Sequence, residues 1–215
     1  MDILFIHGNF PGQFKYLASL LGESGQHRIV FLTKRARHEC EQFKGINIVN
    51  YDNHRHGSDQ THHYLQATEE CILNGQAVCR EIYKLMQGGF KPSIVITHSG
   101  VGVGMFVKDI LPETMHIGYF EWFFQKHTAT YLSNQEGLDA EIKIRIRNHV
   151  IWHELDSCDI GVVPTAWQKR QFPKEYHAKL ETIFDGIDTK FFRPLTDKNG
   201  TEKDLIIHNR ETREK

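Results

Sequence analysis

Short apolar runs rich in β-branched residues alternate along this chain with longer segments that have the periodicity of helices. The runs predicted to be strands span residues 3–6, 29–32, 46–49, 94–97, 117–120, 160–163 and 180–183. Such alternation is typical of βαβ units, and several runs are apolar at consecutive positions, as strands covered on both faces are. The sequence therefore predicts a Rossmann-like, doubly wound α/β fold. Its sheet should be mostly parallel, with six or seven strands and helices on both faces.

The helical segments repeat their apolar residues with a period near 3.6. In the first segment, one predicted face consists of Phe14, Leu17, Leu20 and Leu21. A second helix is predicted over about 64–86, ending at Gly88 and Gly89, because glycine commonly follows the last turn of a helix. Further helices are predicted over about 101–110 and 138–155.

Composition narrows the classes of function. The chain has 26 Lys and Arg against 27 Asp and Glu, so it lacks the basic excess that binding to a nucleic-acid backbone needs. Its four cysteines form no C-x-x-C pair, which favours reduced thiols over a disulfide framework. The first residues resemble no signal peptide and no apolar run is long enough to span a bilayer. We therefore expect a soluble cytoplasmic protein, with peripheral association as its only contact with membranes.

The loop after the first strand contains Gly8, Asn9, Gly12 and Gln13 and leads into the first helix. Loops at the carboxyl ends of parallel strands line the ligand crevice of open α/β sheets. This loop is therefore either a backbone cradle for a phosphate or sugar, or a tight turn that needs glycine for positive φ. A dinucleotide site is disfavoured, because G-x-G-x-x-G is absent and the second strand ends in Thr33-Lys34-Arg35 without an acidic ribose ligand.

Two other strand ends carry side chains that could bind a ligand or take part in a reaction. His98, Ser99 and Gly100 follow the fourth strand, and Glu121 and Trp122 follow the fifth. His98 is either a binding or proton-transferring group or a hydrogen-bonded structural histidine. Glu121 and Trp122 either bind sugar hydroxyls against an aromatic face or form the rim of a core cluster. Glycines after His98 either permit close approach of a ligand or serve packing.

Other reaction classes lack their motifs. His54, His56, His62 and His63 lie in a polar segment, 51–63, that we predict to be a mobile loop, but no cysteine or carboxylate accompanies them at metal-ligand spacing. No metal site is predicted. The sequence also lacks G-x-S-x-G, Walker and H-E-x-x-H motifs, so serine hydrolase, NTPase and zinc protease functions are unsupported.

Two segments near the end of the sequence resemble a known family. Residues 164–168 read PTAWQ, and residues 185–194 read DGIDTKFFRP, with the D-G-I-D and F-x-P elements in order. These segments resemble family 4 glycosyltransferases of the GT-B architecture, which is built from two Rossmann-like domains. Residues 8–14, 98–100, 118–121 and 165–173 extend the likeness to the N-terminal domain of one bacterial subgroup.

The resemblance implies a retaining transfer of a sugar from a nucleotide-diphosphate donor, a UDP- or GDP-sugar, without a metal at the chemical centre. It implies that the loop with Gly12 lies over the donor diphosphate. His98 and Glu121 become candidate catalytic residues facing the cleft that a sugar or glycan acceptor enters. The same likeness makes Ser99, Gly100, Trp122 and Thr165 candidate cleft-lining residues.

The resemblance also implies a domain organisation. Residues 1–195 correspond to an N-terminal, acceptor-side domain, and residues 196–215 to a linker with the truncated start of a C-terminal donor domain. Because the family holds its donor mainly through that second domain, we expect this chain alone to be inactive and to need that partner. Two alternatives are a non-catalytic carbohydrate- or nucleotide-binding module and a nucleotide-sugar epimerase of the same architecture.

Overall fold

The computed structural model of the chain describes residues 1–36, 40, 43–126 and 137–192. It divides into two compact units, Met1–Phe184 and Asp185–Lys215. The strands of the first unit are β1 (Asp2–Ile6), β2 (Arg28–Thr33), β3 (Ile46–Asn50), β4 (Pro92–His98), β5 (Met115–Tyr119), β6 (Ile160–Val163) and β7 (Leu180–Thr182). Its α-helices are α1 (Lys15–Glu23), α2 (Gln66–Gln87), α3 (Val107–Ile110), α4 (Leu138–Ser157) and α5 (Ala166–Lys169).

All seven strands form one parallel sheet in the order β3-β2-β1-β4-β5-β6-β7. The chain moves outward from β1 to β3 and then returns to place β4 on the other side of β1. This reversal is the topological switch point of a doubly wound sheet, where the carboxyl ends of β1 and β4 open a crevice. The predicted Rossmann-like fold is confirmed.

Helices cover both faces of the sheet, as predicted. On one face, Leu4 and Ile6 of β1 pack with Val78 and Ile82 of α2 in the same buried cluster. On the other face, the alternate residues of β1 pack with α1 and with the 3₁₀ turn Gly12–Phe14 that precedes it. A third cluster joins α4 to β6. Within the described residues, no helix combines the length and the apolar character that crossing a bilayer requires.

Two helix predictions need correction. Leu17 and Leu20 do not face the core, since their exposed fractions are 45% and 69%, and Phe14 and Ala18 are the buried positions of that face. The buried residues within α1 are Ala18 and Gly22, four positions apart, and the two leucines lie to one side of that row. The helix predicted over 101–110 is limited to Val107–Ile110, because irregular turns occupy the residues before it.

The second unit begins with a turn centred on Asp188. Its side-chain oxygen Oδ1 accepts the backbone N–H groups of Lys190 and Phe191 at 2.9 and 3.1 Å. Gly186 has φ +82°, so the positive φ expected of the Asp185-Gly186 pair is confirmed. The predicted linker and the strand-like residues 205–208 lie outside the described residues, and the boundary at residue 195 stays a prediction.

Candidate active site

Three strand ends meet at the switch point and place polar side chains together. His7 directly follows β1, His98 is the last residue of β4, and Glu121 lies two residues beyond β5. The parallel register aligns these ends, with Ile6 opposite Thr97 and His98 opposite Tyr119. The structure thus brings the two candidate catalytic residues, His98 and Glu121, to one site and adds His7.

Hydrogen bonds join these side chains into a continuous chain. The backbone N–H of Asn9 donates to Nδ1 of His7 at 2.9 Å, and Nε2 of His7 lies 2.8 Å from Oε1 of Gln13. The amide Nε2 of Gln13 donates to Oε1 of Glu121 at 3.1 Å. The second carboxylate oxygen of Glu121 lies 3.4 Å from Nε2 of His98. We call these five residues the strand-end network.

The direction of this network follows from its chemistry. Because Nδ1 of His7 accepts a hydrogen bond, neutral His7 carries its proton on Nε2 and donates to the carbonyl oxygen of Gln13. That contact fixes the amide of Gln13 with its NH₂ group toward Glu121. Nε2 of His98 must also donate, since an ionised carboxylate only accepts. The carboxylate of Glu121 therefore receives one donor from each side.

Burial and neighbouring charges set the protonation states. Burial lowers the pKa of His7 to about 4, with a further lowering by His98, so His7 is neutral at physiological pH. The hydrogen bond from His98, assisted by Gln13, lowers the pKa of Glu121 below its ordinary value. Glu121 is therefore an ionised carboxylate whose side chain is 45% exposed. Its carboxylate can therefore reach a ligand in solvent.

The glycines of the first loop fit a tight turn around His7. Gly12 has φ +52°, and a Cβ atom there would lie 2.5 Å from Nε2 of His7. The carbonyl oxygen of Gly8 accepts from Thr33 Oγ1 at 3.0 Å and from the N–H of Lys34 at 3.2 Å. The predicted turn geometry is present. The predicted contact of this loop with a diphosphate stays a prediction.

The loop after β4 is organised by Glu154, a residue that no sequence prediction included. Glu154 lies on α4 with only 1% exposure, and its carboxylate accepts the N–H groups of Gly100 at 2.6 Å and Gly104 at 3.0 Å. Burial raises the pKa of Glu154 to about 7, although these hydrogen bonds oppose the rise. Two of the N–H groups that an anionic ligand would need are thus already bound by the protein itself.

Packing explains the glycines of the same loop. At Gly102, which has φ +84°, a Cβ atom would lie 2.1 Å from the backbone oxygen of Cys71 on α2. At Gly104 it would lie 2.9 Å from Oγ1 of Thr97, and at Gly100 the nearest side chain is Ile151 at 3.7 Å. Other parts of the protein therefore approach these glycines closely. The space next to them is filled by α2, β4 and α4 and is not open to a ligand. The candidate Ser99 is itself buried, with 7% exposure.

The remaining candidates, Trp122 and Thr165, lie on the β5 and β6 side. Thr165 is exposed and caps α5, since its Oγ1 accepts the N–H of Gln168 at 3.2 Å. The side chain of Gln168 donates to the backbone oxygen of Glu121 at 2.8 Å and ties α5 to the end of β5. The ring of Trp122 packs against Trp167, with 5.8 Å between ring centroids.

The histidine-rich segment 51–63 lies against the start of α2. The N–H groups of Gly57 and Ser58 donate to Glu70 at 3.1 Å and to Glu69 at 3.0 Å. The predicted loop is thus irregular but hydrogen-bonded, and its mobility stays a prediction. Among the described residues, no group of three or more His, Cys, Asp or Glu side chains is placed to hold a metal ion.

Several solved structures share this fold. Sucrose-phosphate synthase from Thermosynechococcus elongatus aligns with 91% of this chain and 50% of its own, with TM-score 0.61 and 14% identity. A UDP-glucosyltransferase from Polygonum tinctorium covers 85% and 51%, with TM-score 0.56 and 8% identity. Starch Synthase IV from Arabidopsis thaliana, bound to ADP and acarbose, covers 92% and 54%, with TM-score 0.51 and 13% identity.

The chain therefore spans about half the length of these structures. At these identities the likeness establishes the fold, which is that of GT-B N-terminal domains. No curated protein matches the sequence. Residues 25–192, however, match the family described as the Glycosyl transferase family 4 group, and this match covers most of the chain. By that match, the chain belongs to the Glycosyl transferase family 4 group.

Proposed function

We propose that this chain is the acceptor-side half of a retaining glycosyltransferase that uses a nucleotide-diphosphate sugar. The observation that carries the proposal is the family match over residues 25–192. The strand-end network supports it, because a charged and partly exposed carboxylate lies at the switch point where open α/β sheets bind ligands. The ADP and acarbose bound to Starch Synthase IV are consistent with a nucleotide donor and a saccharide partner.

In this proposal Glu121 and His98 act on the acceptor. The ionised carboxylate of Glu121 accepts a hydrogen bond from the attacking hydroxyl and orients it. His98 donates to the same carboxylate and keeps it charged and fixed in direction. His7 and Gln13 support it from the first loop, so that the orientation is set before the acceptor arrives.

The donor is assigned to the first loop of this domain and to the domain that follows it. Gly8, Asn9, Gly12 and Gln13 form the loop that we place over the diphosphate of a UDP- or GDP-sugar. A C-terminal domain of the same polypeptide supplies most of the donor contacts, with residues 1–195 as the acceptor-side domain and 196–215 leading into its partner. Catalysis depends on fixed charges around the leaving diphosphate, so the 215-residue chain alone is expected to be inactive.

The test is to read the gene beyond Lys215 and to express both the longer protein and this chain. We expect the longer protein to release nucleoside diphosphate from a donor sugar only when an acceptor is present, with retention at the anomeric carbon. The isolated chain should show no turnover. Release without any acceptor would indicate an epimerase, and a reading frame that stops at Lys215 would indicate a binding module. We also expect the protein to belong to the bacterial subgroup and to be cytoplasmic.

A further inference from the structure

Two of the three tryptophans of this sequence form a pair next to Glu121. Trp122 follows β5, and Trp167 is the second residue of α5, which follows the neighbouring strand β6. Their ring centroids are 5.8 Å apart and their planes are inclined by 51°. Trp167 is 45% exposed, although large aromatic side chains are usually well buried. The pair therefore presents an indole surface to solvent at the carboxyl edge of the sheet.

Hydrogen bonds hold this indole surface in a fixed place relative to Glu121. The amide of Gln168, the residue after Trp167, donates to the backbone oxygen of Glu121 at 2.8 Å, and its Oε1 accepts from Thr165 Oγ1 at 2.6 Å. A second tie lies beyond α5, where Gln125 donates to the backbone oxygen of Gln171 at 2.9 Å. The backbone of Glu121 and the tryptophan pair consequently belong to one hydrogen-bonded arrangement.

The carboxylate of Glu121 has capacity left for a ligand. An ionised carboxylate offers about four lone-pair positions. Gln13 and His98 each occupy one of them, and nearly half of the side chain is open to solvent. The site is therefore complementary to a ligand that has hydrogen-bond donors next to an apolar face.

We propose that Trp122, Trp167 and Glu121 form a saccharide subsite for a pyranose ring of the acceptor. The ring lays its apolar C–H face on the exposed indole of Trp167, and its hydroxyls donate to Glu121. A pyranose suits this pairing because it combines an apolar face with several neighbouring hydroxyl donors. The inference rests on the proposed function and deepens it, since it assigns the residues that hold one ring of the acceptor.

The chemistry of Glu121 also argues against the other occupants. An apolar face of a second domain would cover Trp167 but would leave the remaining lone pairs of a charged carboxylate without donors, which is costly. A simple phenol could stack on the indole, yet it brings one hydroxyl where the carboxylate can take two. The saccharide is the occupant that satisfies both parts of the subsite.

The first experiment observes the indole N–H signals of Trp122, Trp152 and Trp167 by NMR in the present chain. The probes are methyl β-D-glucopyranoside, methyl α-D-mannopyranoside, maltose and, for comparison, p-cresol. We expect at least one sugar to shift the signals of Trp122 and Trp167 in a saturable way, with Trp152 of α4 moving less. The shift should disappear in Trp167→Ala and persist in Tyr83→Ala, which removes an exposed aromatic ring of α2.

Three results of this experiment would overturn the subsite. The first is that none of the sugars shifts the two signals. The second is that p-cresol shifts them and the sugars do not, which would indicate an aromatic acceptor. The third is a sugar-induced shift of Trp122 that survives Trp167→Ala, because the proposed stacking surface would then be irrelevant.

A second experiment uses the longer protein and separates this inference from the proposed function. Trp167→Ala should raise the acceptor KM by about tenfold and leave the donor KM unchanged, as loss of one aromatic contact predicts. Added acceptor should also reduce acrylamide quenching of the tryptophan fluorescence, and this protection should be lost in Trp167→Ala. Equal changes in both KM values, or protection without acceptor, would reject the subsite. Absence of any sugar transfer by the longer protein would reject the proposed function instead.

Discussion

The loop after β4 and the residues after β5 lie next to each other at the carboxyl edge of the sheet. Each is organised around a carboxylate, but one carboxylate is buried and the other is partly exposed. In the first, a buried carboxylate takes up backbone N–H groups, and glycines let helices pack closely. In the second, two side-chain donors hold the carboxylate of Glu121 while it remains 45% exposed. The first arrangement is complete without a ligand and the second is not. A glycine-rich strand end is therefore no guide to a binding site until its N–H groups have been traced to their partners.

The largest effect is expected from removing the buried carboxylate. Glu154→Ala leaves the N–H groups of Gly100 and Gly104 without acceptors, so the free energy of unfolding should fall by about 3 kcal/mol near pH 5. Glu141→Ala on the exposed side of α4 is the matched control and should change it by less than about 1 kcal/mol. Urea denaturation of the three proteins measures both. Equal effects would mean that Glu154 does not organise the loop.

The pH dependence of the unfolding free energy provides a second test of Glu154. The pKa of Glu154 is raised by burial to about 7 from an ordinary value of 4.5, so the folded state holds its proton more tightly than the unfolded state does. This carboxyl therefore stabilises the fold fully below pH 4.5, and its contribution is lost as pH rises through 7. Relative to the native chain, Glu154→Gln should gain about 3 kcal/mol of unfolding free energy between these pH values.

Referring each measurement to Glu154→Gln is necessary because two histidines act in the opposite sense. Burial lowers the pKa values of His7 and His116 to about 4, so their contributions are present above pH 6.5 and are lost as pH falls through 4. These contributions are common to both proteins and cancel in the difference. A difference that does not vary with pH would show that Glu154 is not a buried titrating group.

Neutralising Glu121 tests the role of the exposed carboxylate after β5. In the longer protein, Glu121→Gln should lower kcat/KM by about 100-fold, the size of effect expected for a side chain that acts on a reacting hydroxyl. The thermal stability of the chain should change little, because nearly half of the side chain is exposed and Gln can still make hydrogen bonds to Gln13 and His98. Glu113→Gln provides the control, because this exposed carboxylate precedes β5 and lies at the end of that strand opposite to Glu121. A stability loss without a change in turnover would reassign Glu121 to a structural role.

The smallest effect is expected at Gly12, where two causes can be separated. Gly12→Ala combines a positive φ with a Cβ atom 2.5 Å from Nε2 of His7, whereas Gly25→Ala has φ +65° and no atom within 4 Å. We expect losses of about 2 and about 1 kcal/mol of unfolding free energy, respectively. Only Gly12→Ala should also shift the NMR signals of the His7 ring. Identical behaviour of the two variants would remove His7 from the network.

The sequence predicted what depends on local pattern. All seven strands and the end of α2 at Gly88 follow from apolar runs and a terminating glycine. Glu154 escaped prediction because its partners lie about 50 residues away, and a glutamate on a helix that alternates charged and apolar residues gives no sign of its own burial. Leu17 and Leu20 misled for a related reason, since a periodic apolar face does not specify which part of it meets the sheet.

In the candidate site too, some residues could be predicted from local pattern and others could not. His98 and Glu121 were singled out because strand ends of a parallel sheet converge, and this rule needs no tertiary knowledge. His7 was not predicted, although it lies at the end of β1 by the same rule, because the local pattern there is dominated by the glycines that follow it. The tie between Gln13 and Glu121 joins two separate strand ends, and no local pattern indicates it.

Under the proposed function, that tie links the loop assigned to the donor with the carboxylate assigned to the acceptor. Gln13 belongs to the first loop, and its amide is one of two groups that aim a carboxylate lying 108 positions later in the sequence. Any displacement of the first loop withdraws this amide and leaves Glu121 held from the His98 side alone. The geometry that one substrate encounters is thus conditional on the state of the segment assigned to the other.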